Sequence, residues 1–252
     1  PSCDSSLTSI FYYQAKVIGI MREKIQKYLD RGDDSARIEG LLVWYGTGTG
    51  KTLTASLVAK FLSFCRKTPV IENCYIISPK SAVKNFVREL EKENIFCDKI
   101  TTGLTKATMY YRAGNIKIYS HSNFSNTYNI GNRMDPSIDL SKTLFIIDEA
   151  HNLINIEGQA DAPNTQFMLS ACSRAKQVML LTATPMLNSP YDMATILAML
   201  NGNVQPMSKD DFRRLYSRFN GEPNLVNVCT DKEAPITLLV PDQRLGNPEA
   251  SP

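Results

Sequence analysis

The residues Gly46-Thr47-Gly48-Thr49-Gly50-Lys51-Thr52 set glycines, a lysine and a hydroxyl in the order that a phosphate-binding loop requires. Glycines let successive backbone N–H groups converge on phosphate oxygens, and a helix that follows adds the partial positive charge of its N-terminus. In such a loop Lys51 reaches the β- and γ-phosphates of a nucleotide, and the Thr52 hydroxyl ligates Mg²⁺. The strict pattern places glycine five residues before Gly50, where this chain has Tyr45. The plain alternative is a flexible glycine turn that ends in lysine and threonine.

A second group, Asp148-Glu149-Ala150-His151, directly follows the apolar run Leu144-Phe145-Ile146-Ile147. Adjacent carboxylates at a strand end repel each other, a cost that a divalent cation removes. Asp148 then holds Mg²⁺ through water, while Glu149 orients and deprotonates an attacking water. The alternative is a helix N-cap, since Asp and Glu favour first turns. A third group, Thr182-Ala183-Thr184-Pro185, follows Val178-Met179-Leu180-Leu181. Its hydroxyls could hydrogen-bond His151 or the γ-phosphate, or cap a helix before Pro185.

These groups need rigid elements to carry them. Short apolar runs at Leu41–Tyr45, Tyr75–Ser78, Ile116–Tyr119, Leu144–Asp148 and Val178–Thr182 have strand length and the composition of strands buried on both faces. Helical periodicity falls between them, at Gln14–Leu29, Lys51–Cys65, Ala82–Lys92, Asn164–Ser173 and Tyr191–Leu200. This alternation predicts an α/β fold, a parallel sheet with helices on both faces and ligands at the carboxyl ends of its strands. The polar stretch Asn123–Asp139 reads as a long surface loop. The stretch from Ala234, with Pro235, Pro241, Pro248 and Pro252, reads as a linker or an interrupted element.

The 252 residues are 43% hydrophobic and 21% charged, enough for one large core, and the net charge of +3 neither demands nor excludes a polyanionic partner. Six cysteines without a C-x-x-C pair, and two histidines, argue against zinc and for reduced, buried thiols in a reducing compartment. No apolar run approaches the roughly 18 residues of a membrane span, so no membrane partner is expected.

In this order and at these separations the three groups resemble motifs I, II and III of the superfamily 2 helicases, and Asp148-Glu149-Ala150-His151 matches that family's acid box letter for letter. Within the superfamily, Leu181–Asn188 and the helix after Asp192 resemble the Swi/Snf-type branch, and the poxvirus-type nucleoside triphosphate phosphohydrolases and early transcription factor small subunits. The resemblance spans Phe11 to Phe219. It implies a RecA-like P-loop NTPase lobe with ATP and Mg²⁺ as cofactors, in which Glu149, Lys51 and His151 are catalytic and Thr52 and Asp148 hold the metal. Phe11-Tyr12-Tyr13-Gln14 resembles the upstream glutamine motif, which implies that Gln14 reads the adenine edge. Thr184 and the loop residues Gly46 to Thr52 complete the implied nucleotide contacts.

The same resemblance assigns nucleic-acid contacts to Pro79, Lys80 and Ser81, to Thr102 and Gly103, and to Ser120 and His121. Lys80, Lys84 and Arg88 also share one helical face, which could track phosphates or form a solvated charged face with Glu89 and Glu91. Motifs IV to VI, with the arginines of a second RecA-like lobe, have no counterpart after Phe219. The expected organisation is a flexible segment over 1–10, the lobe over 11–220, and a linker toward a second lobe over 221–252. The expected activity is ATP-driven translocation on nucleic acid, with double-stranded DNA favoured, in viral transcription or genome handling. Transcription or virion partners follow, in the cytoplasm or virion, or in the nucleus of a non-viral source. Two rivals are a nucleotide-binding structural or assembly subunit with incidental hydrolysis, and a small-molecule kinase on the same phosphate loop.

Overall fold

The computed structural model describes residues 11–33, 36–46, 48–64, 70–92, 100–105, 108–153, 163–186, 190–216 and 237–239. Helix α1 (Tyr12–Arg31) ends where Gly32 takes a left-handed φ of 68°, a C-cap conformation that costs glycine nothing. Strand β1 (Leu41–Trp44) delivers the chain into the glycine loop and then α2 (Lys51–Phe64). There follow β2 (Asn73–Ser78), α3 (Lys80–Lys92), β3 (Thr101–Thr105), β4 (Thr108–Ala113), β5 (Ile116–Ser120), α4 (His121–Tyr128), β6 (Asn129–Ile130), β7 (Arg133–Met134) and β8 (Thr143–Asp148). The last described elements are α5 (Pro163–Arg174), β9 (Gln177–Thr182), α6 (Asp192–Asn201), α7 (Lys209–Tyr216) and β10 (Thr237–Leu239).

The main sheet has 8 strands in the order β10-β1-β9-β8-β2-β5-β4-β3. All pairings from β10 to β5 are parallel. Leu144, Phe145, Ile146 and Ile147 of β8, and Val178 to Leu181 of β9, are fully buried, which explains their unbroken apolar character. Alternate residues feed two cores. Leu144, Ile146, Met179 and Leu181 meet Val17, Met21, Ile25, Val58 and Phe86 on the face covered by α1, α2 and α3. Phe145, Ile147, Val178 and Leu180 meet Phe124, Phe167, Ile196 and Met199 on the face covered by α4, α5 and α6. The α/β expectation therefore holds, with each expected strand and helix present.

Three features depart from the sequence reading or extend it. The parallel sheet is lengthened at one edge by the antiparallel strands β4 and β3. Asn123–Asp139 is not a surface loop: Phe124 is 0% and Met134 2% exposed, and the β6–β7 hairpin turns on Gly131 and Asn132, both at positive φ. The many Ser and Asn residues hid a Phe124/Tyr128 pair at helical spacing, while the two-residue turn is of the primed type that suits strand twist. Finally, part of the proline-bearing tail, β10, pairs parallel to β1. Of the cysteines, Cys74 and Cys172 are buried free thiols, while Cys3, Cys65, Cys97 and Cys229 lie outside the described residues.

Phe124 packs its ring against those of Tyr75, Tyr119, Tyr128, Phe145 and Phe167. Phe124→Ala is expected to cost about 3–5 kcal/mol in urea unfolding, the scale of a core aromatic truncation. A loss within about 0.5 kcal/mol would return the segment to the surface.

Candidate nucleotide and metal site

The strands that matter end level with one another. Trp44 of β1 is in register with Thr182 of β9, Leu181 with Asp148 of β8, Ile147 with Ile77 of β2, and Ser78 with Ser120 of β5. The glycine loop, the threonine group, the acid pair and the segments after β2 and β5 thus emerge at one edge, although 138 positions separate Trp44 from its register partner Thr182. Trp44 Nε1–H donates to the Ala183 carbonyl at 2.9 Å and ties the first two ends together.

In the loop, Gly48 and Gly50 adopt φ of 76° and 78°, a region that disfavours any residue with a Cβ. A Cβ on Gly50 would also lie 2.6 Å from Gln14 Nε2. Thr49 bonds its own loop, Oγ1 donating to the Gly46 carbonyl at 2.8 Å. Thr47 lies outside the described residues. Tyr45, in place of the first glycine, is 2% exposed. Its hydroxyl donates to the Tyr13 carbonyl at 3.0 Å, and the Tyr13 hydroxyl donates to the Thr49 carbonyl at 2.8 Å. Burial pushes the Tyr45 phenol far above its ordinary range, so it stays a neutral donor. Tyr13 is a site residue that the sequence reading left without a role.

Lys51, in the first turn of α2, extends to within 3.3 Å of Glu149 Oε1. It also donates to the Tyr45 carbonyl at 3.4 Å. Glu149 is one of two non-glycine residues at positive φ among those described, with φ 48°. That conformation costs roughly 1–2 kcal/mol, and such strain persists where the surroundings over-determine it. The opposite carboxylate oxygen lies 3.4 Å from His151 Nδ1. His151 Nδ1 is itself 2.8 Å from Thr182 Oγ1, which also accepts the Thr184 N–H at 3.1 Å. Of the alternatives open from sequence, the threonine group pairs with His151 here; it uses Thr182, while the Thr184 side chain is exposed.

Asp148 is 5% exposed. Burial raises its pKa, with the neighbouring Glu149 adding to the rise, while the Ser78 hydrogen bond and Lys51 pull it down. Ser78 Oγ donates to Asp148 Oδ2 at 2.9 Å inside the protein. A buried carboxylate beside a second carboxylate offers hard oxygen donors, which suit Mg²⁺ rather than a soft metal. Asp148 and Thr52 could hold such an ion.

Gln14 is 1% exposed. Its Oε1 accepts the Phe11 N–H at 3.1 Å, and its Nε2 donates to the Gly50 carbonyl at 3.4 Å. Each end of the amide thus makes one bond within the protein, which leaves one further acceptor site on Oε1 and one further N–H on Nε2. Pro79 opens α3 by accepting from the Ala82 and Val83 amides, and Lys80, Ser81, Lys84 and Arg88 are exposed beside it. Ser120 caps α4 by accepting the Asn123 N–H at 3.0 Å. His121 turns inward: Nε2 lies 3.0 Å from the Asp148 carbonyl oxygen, and burial lowers its pKa against the smaller opposing pull of that hydrogen bond. Thr102 and Gly103 are set apart from the others, in the edge strand β3, where Gly103 faces Tyr110 so closely that a Cβ would strike the ring.

A family model described as "Type III restriction enzyme, res subunit" matches residues 7–187. The chain is 29% identical over 229 residues to a protein of African swine fever virus (isolate Tick/Malawi/Lil 20-1/1983) named "Termination factor NPH-I homolog", covering 85% of this chain and 30% of that protein. It is 28% identical over 163 residues to a candidate ATP-dependent RNA helicase of Acanthamoeba polyphaga mimivirus, covering 65% of this chain and 29% of the relative. Among solved structures, the Pyrococcus furiosus Hef helicase domain aligns with 74% of this chain and 38% of its own at 17% identity and a TM-score of 0.42. The chain thus spans about a third of the length of the curated relatives it matches.

The left-handed turn at Glu149 separates two substitutions that both remove the carboxylate. Glu149→Gly is expected to unfold at higher urea than Glu149→Ala, by about 0.5–1 kcal/mol, because only glycine escapes the φ penalty. Equal stability, or the reverse order, would mean that the turn is unstrained.

Proposed function

Because the chain belongs to the type III restriction enzyme res-subunit family, whose model spans residues 7–187, we propose that it is the ATP-binding lobe of a nucleic-acid-dependent ATPase of the superfamily 2 kind. The observation that carries the proposal is the meeting of Lys51 and Glu149 at 3.3 Å. These residues come from opposite sides of β9, and they bring a phosphate-binding cation to a water-activating carboxylate. In this reading Lys51 and the loop amides bind the β- and γ-phosphates, and Thr52 and Asp148 hold Mg²⁺, which neutralises charge on the phosphates. Glu149 takes the proton of the attacking water, and His151, tied to Thr182, keeps its carboxylate in place. Gln14, Thr184 and the rest of the loop over Gly46–Thr52 complete the nucleotide contacts.

The nucleic-acid track follows the same sheet edge, over Pro79, Lys80, Ser81 and the Ser120 turn, with Lys84 and Arg88 continuing along α3. Phosphate contacts of this type position a strand without reading its sequence. Double-stranded DNA is the favoured track. Residues 11–220 carry this lobe, with Thr237–Leu239 added at its β1 edge, 1–10 and the rest of 221–252 flank it, and a second RecA-like lobe supplies the arginines. The viral relatives support a role in transcription or genome handling in the cytoplasm of an infected cell. No helix among the described residues is long and apolar enough to cross a membrane.

The test is steady-state ATP hydrolysis by the full-length protein, with and without single- and double-stranded DNA and RNA. Stimulation by at least one of them is expected; no stimulation by any would favour a nucleotide-binding structural subunit. Lys51→Ala is expected to weaken Mg-ATP binding at least about tenfold in calorimetry, through loss of a charged hydrogen bond. Glu149→Gln should leave that affinity nearly unchanged and lower turnover by about 10² or more, the scale of general-base catalysis. Wild-type affinity in the first variant or wild-type turnover in the second would remove the corresponding role.

A further inference from the structure

Two hydrogen bonds join the acid pair to strands on the side away from the phosphate loop. Ser78, the last residue of β2, holds the Asp148 carboxylate at 2.9 Å. His121, the first residue of α4, lies with Nε2 3.0 Å from the Asp148 backbone carbonyl oxygen. A carbonyl only accepts, so Nε2 carries the proton and donates it. Side chain and peptide of one residue are therefore fixed from two neighbouring strands.

That peptide leads straight into Glu149 and its φ of 48°. On the far side the Glu149 carbonyl accepts the Asn152 N–H at 2.9 Å, so the turn is gripped before and after the strained residue. Rotating the Asp148–Glu149 peptide would carry the Glu149 carboxylate away from Lys51 and His151. The two gripping residues also sit next to exposed ones: Lys80 and Ser81 follow Ser78, and Ser122 follows His121. Ser78 and Ser120 are register partners. A shift of these strand ends therefore reaches the acid pair through a continuous set of hydrogen bonds.

We propose that His121 is a positioning residue for the Glu149 carboxylate, and that with Ser78 it carries displacements of the β2 and β5 ends to the acid pair. This rests on the ATPase reading given above. It also gives His121 a role different from direct contact with nucleic acid, because its ring faces Asp148.

The test uses the full-length protein as wild type and as His121→Ala, His121→Asn, His121→Gln and Ser78→Ala. Glutamine sets an amide nitrogen near the place of Nε2, whereas asparagine stops short, so only the former can rebuild the bond. Steady-state ATPase with saturating nucleic acid is paired with hydrogen exchange of the nucleotide-free protein. The Ala and Asn variants of His121 are expected to lose about tenfold in kcat, with KM for ATP within about twofold, and to exchange faster over residues 148–151. His121→Gln should restore both. The ratio of stimulated to basal rate should fall about threefold or more in His121→Ala and Ser78→Ala.

Wild-type kcat in His121→Ala, no rescue by glutamine, or unchanged exchange over residues 148–151 would overturn the positioning role. An unchanged stimulation ratio in both alanine variants would overturn the relay. A wild-type protein that does not hydrolyse ATP would overturn the ATPase reading instead, and the exchange pattern with its glutamine rescue would still decide whether His121 holds the turn.

Discussion

The register of the central parallel strands is the constraint on which the site depends. β1, β9, β8 and β2 leave the core level with one another, so Lys51, Thr182, Glu149 and Ser78 reach a common edge from distant parts of the chain. The register is held by burial on both faces. Each fully buried Leu, Ile, Val or Phe of β8 and β9 contributes about 1.5–3 kcal/mol relative to exposure. A slip of one residue would exchange the two faces. It would also move Asp148 by roughly 3.3 Å along the strand, enough to break its bond with Ser78.

With its strands fixed, the glycine loop still needs bracing, and Tyr45 shows how a departure from the strict pattern is accommodated. The side chain that replaces glycine is buried toward α1 and bonds the Tyr13 carbonyl. Tyr13 returns a bond to Thr49, and Gln14 reaches Gly50. The two tyrosine rings meet edge to face, with centroids 5.2 Å apart, a favoured aromatic geometry. Helix α1 is thereby coupled to the loop by hydrogen bonds as well as by its apolar stripe.

The opposite end of the sheet carries buried charge, and there the charges are satisfied. Lys24 and Glu39 pair at 2.7 Å with little exposure. Lys176 donates to the Ala36 carbonyl and lies over the Tyr28 ring. Arg37 donates to the Ala175, Leu200 and Met199 carbonyls, which include acceptors in the last turn of α6 where a cation also meets the helix dipole. Buried ionic groups without such partners would cost several kcal/mol. Gly40 lets this end close, since a Cβ there would sit 2.7 Å from the Leu200 carbonyl oxygen. The start of β1 is thus anchored at one end of the sheet and its loop at the other.

What the sequence determined by itself is whatever local pattern encodes. Unbroken apolar runs announced β8 and β9, helical periodicity announced α1 and α3, and the residue types at Gly46–Thr52 and Asp148–His151 carried the proposed phosphate and metal site. Local composition also misled: serines and asparagines over Asn123–Asp139 concealed α4 and a hairpin, because only two aromatics marked the buried side. The tertiary structure alone decided the partnerships. Strand order is not written in any segment, so nothing local could reveal that Ser78 holds Asp148, that Gln14 bonds Phe11 and Gly50, or that His121 faces the acid pair. Each of those bonds is set by which strands become neighbours when both faces of the sheet are buried, a long-range outcome of packing.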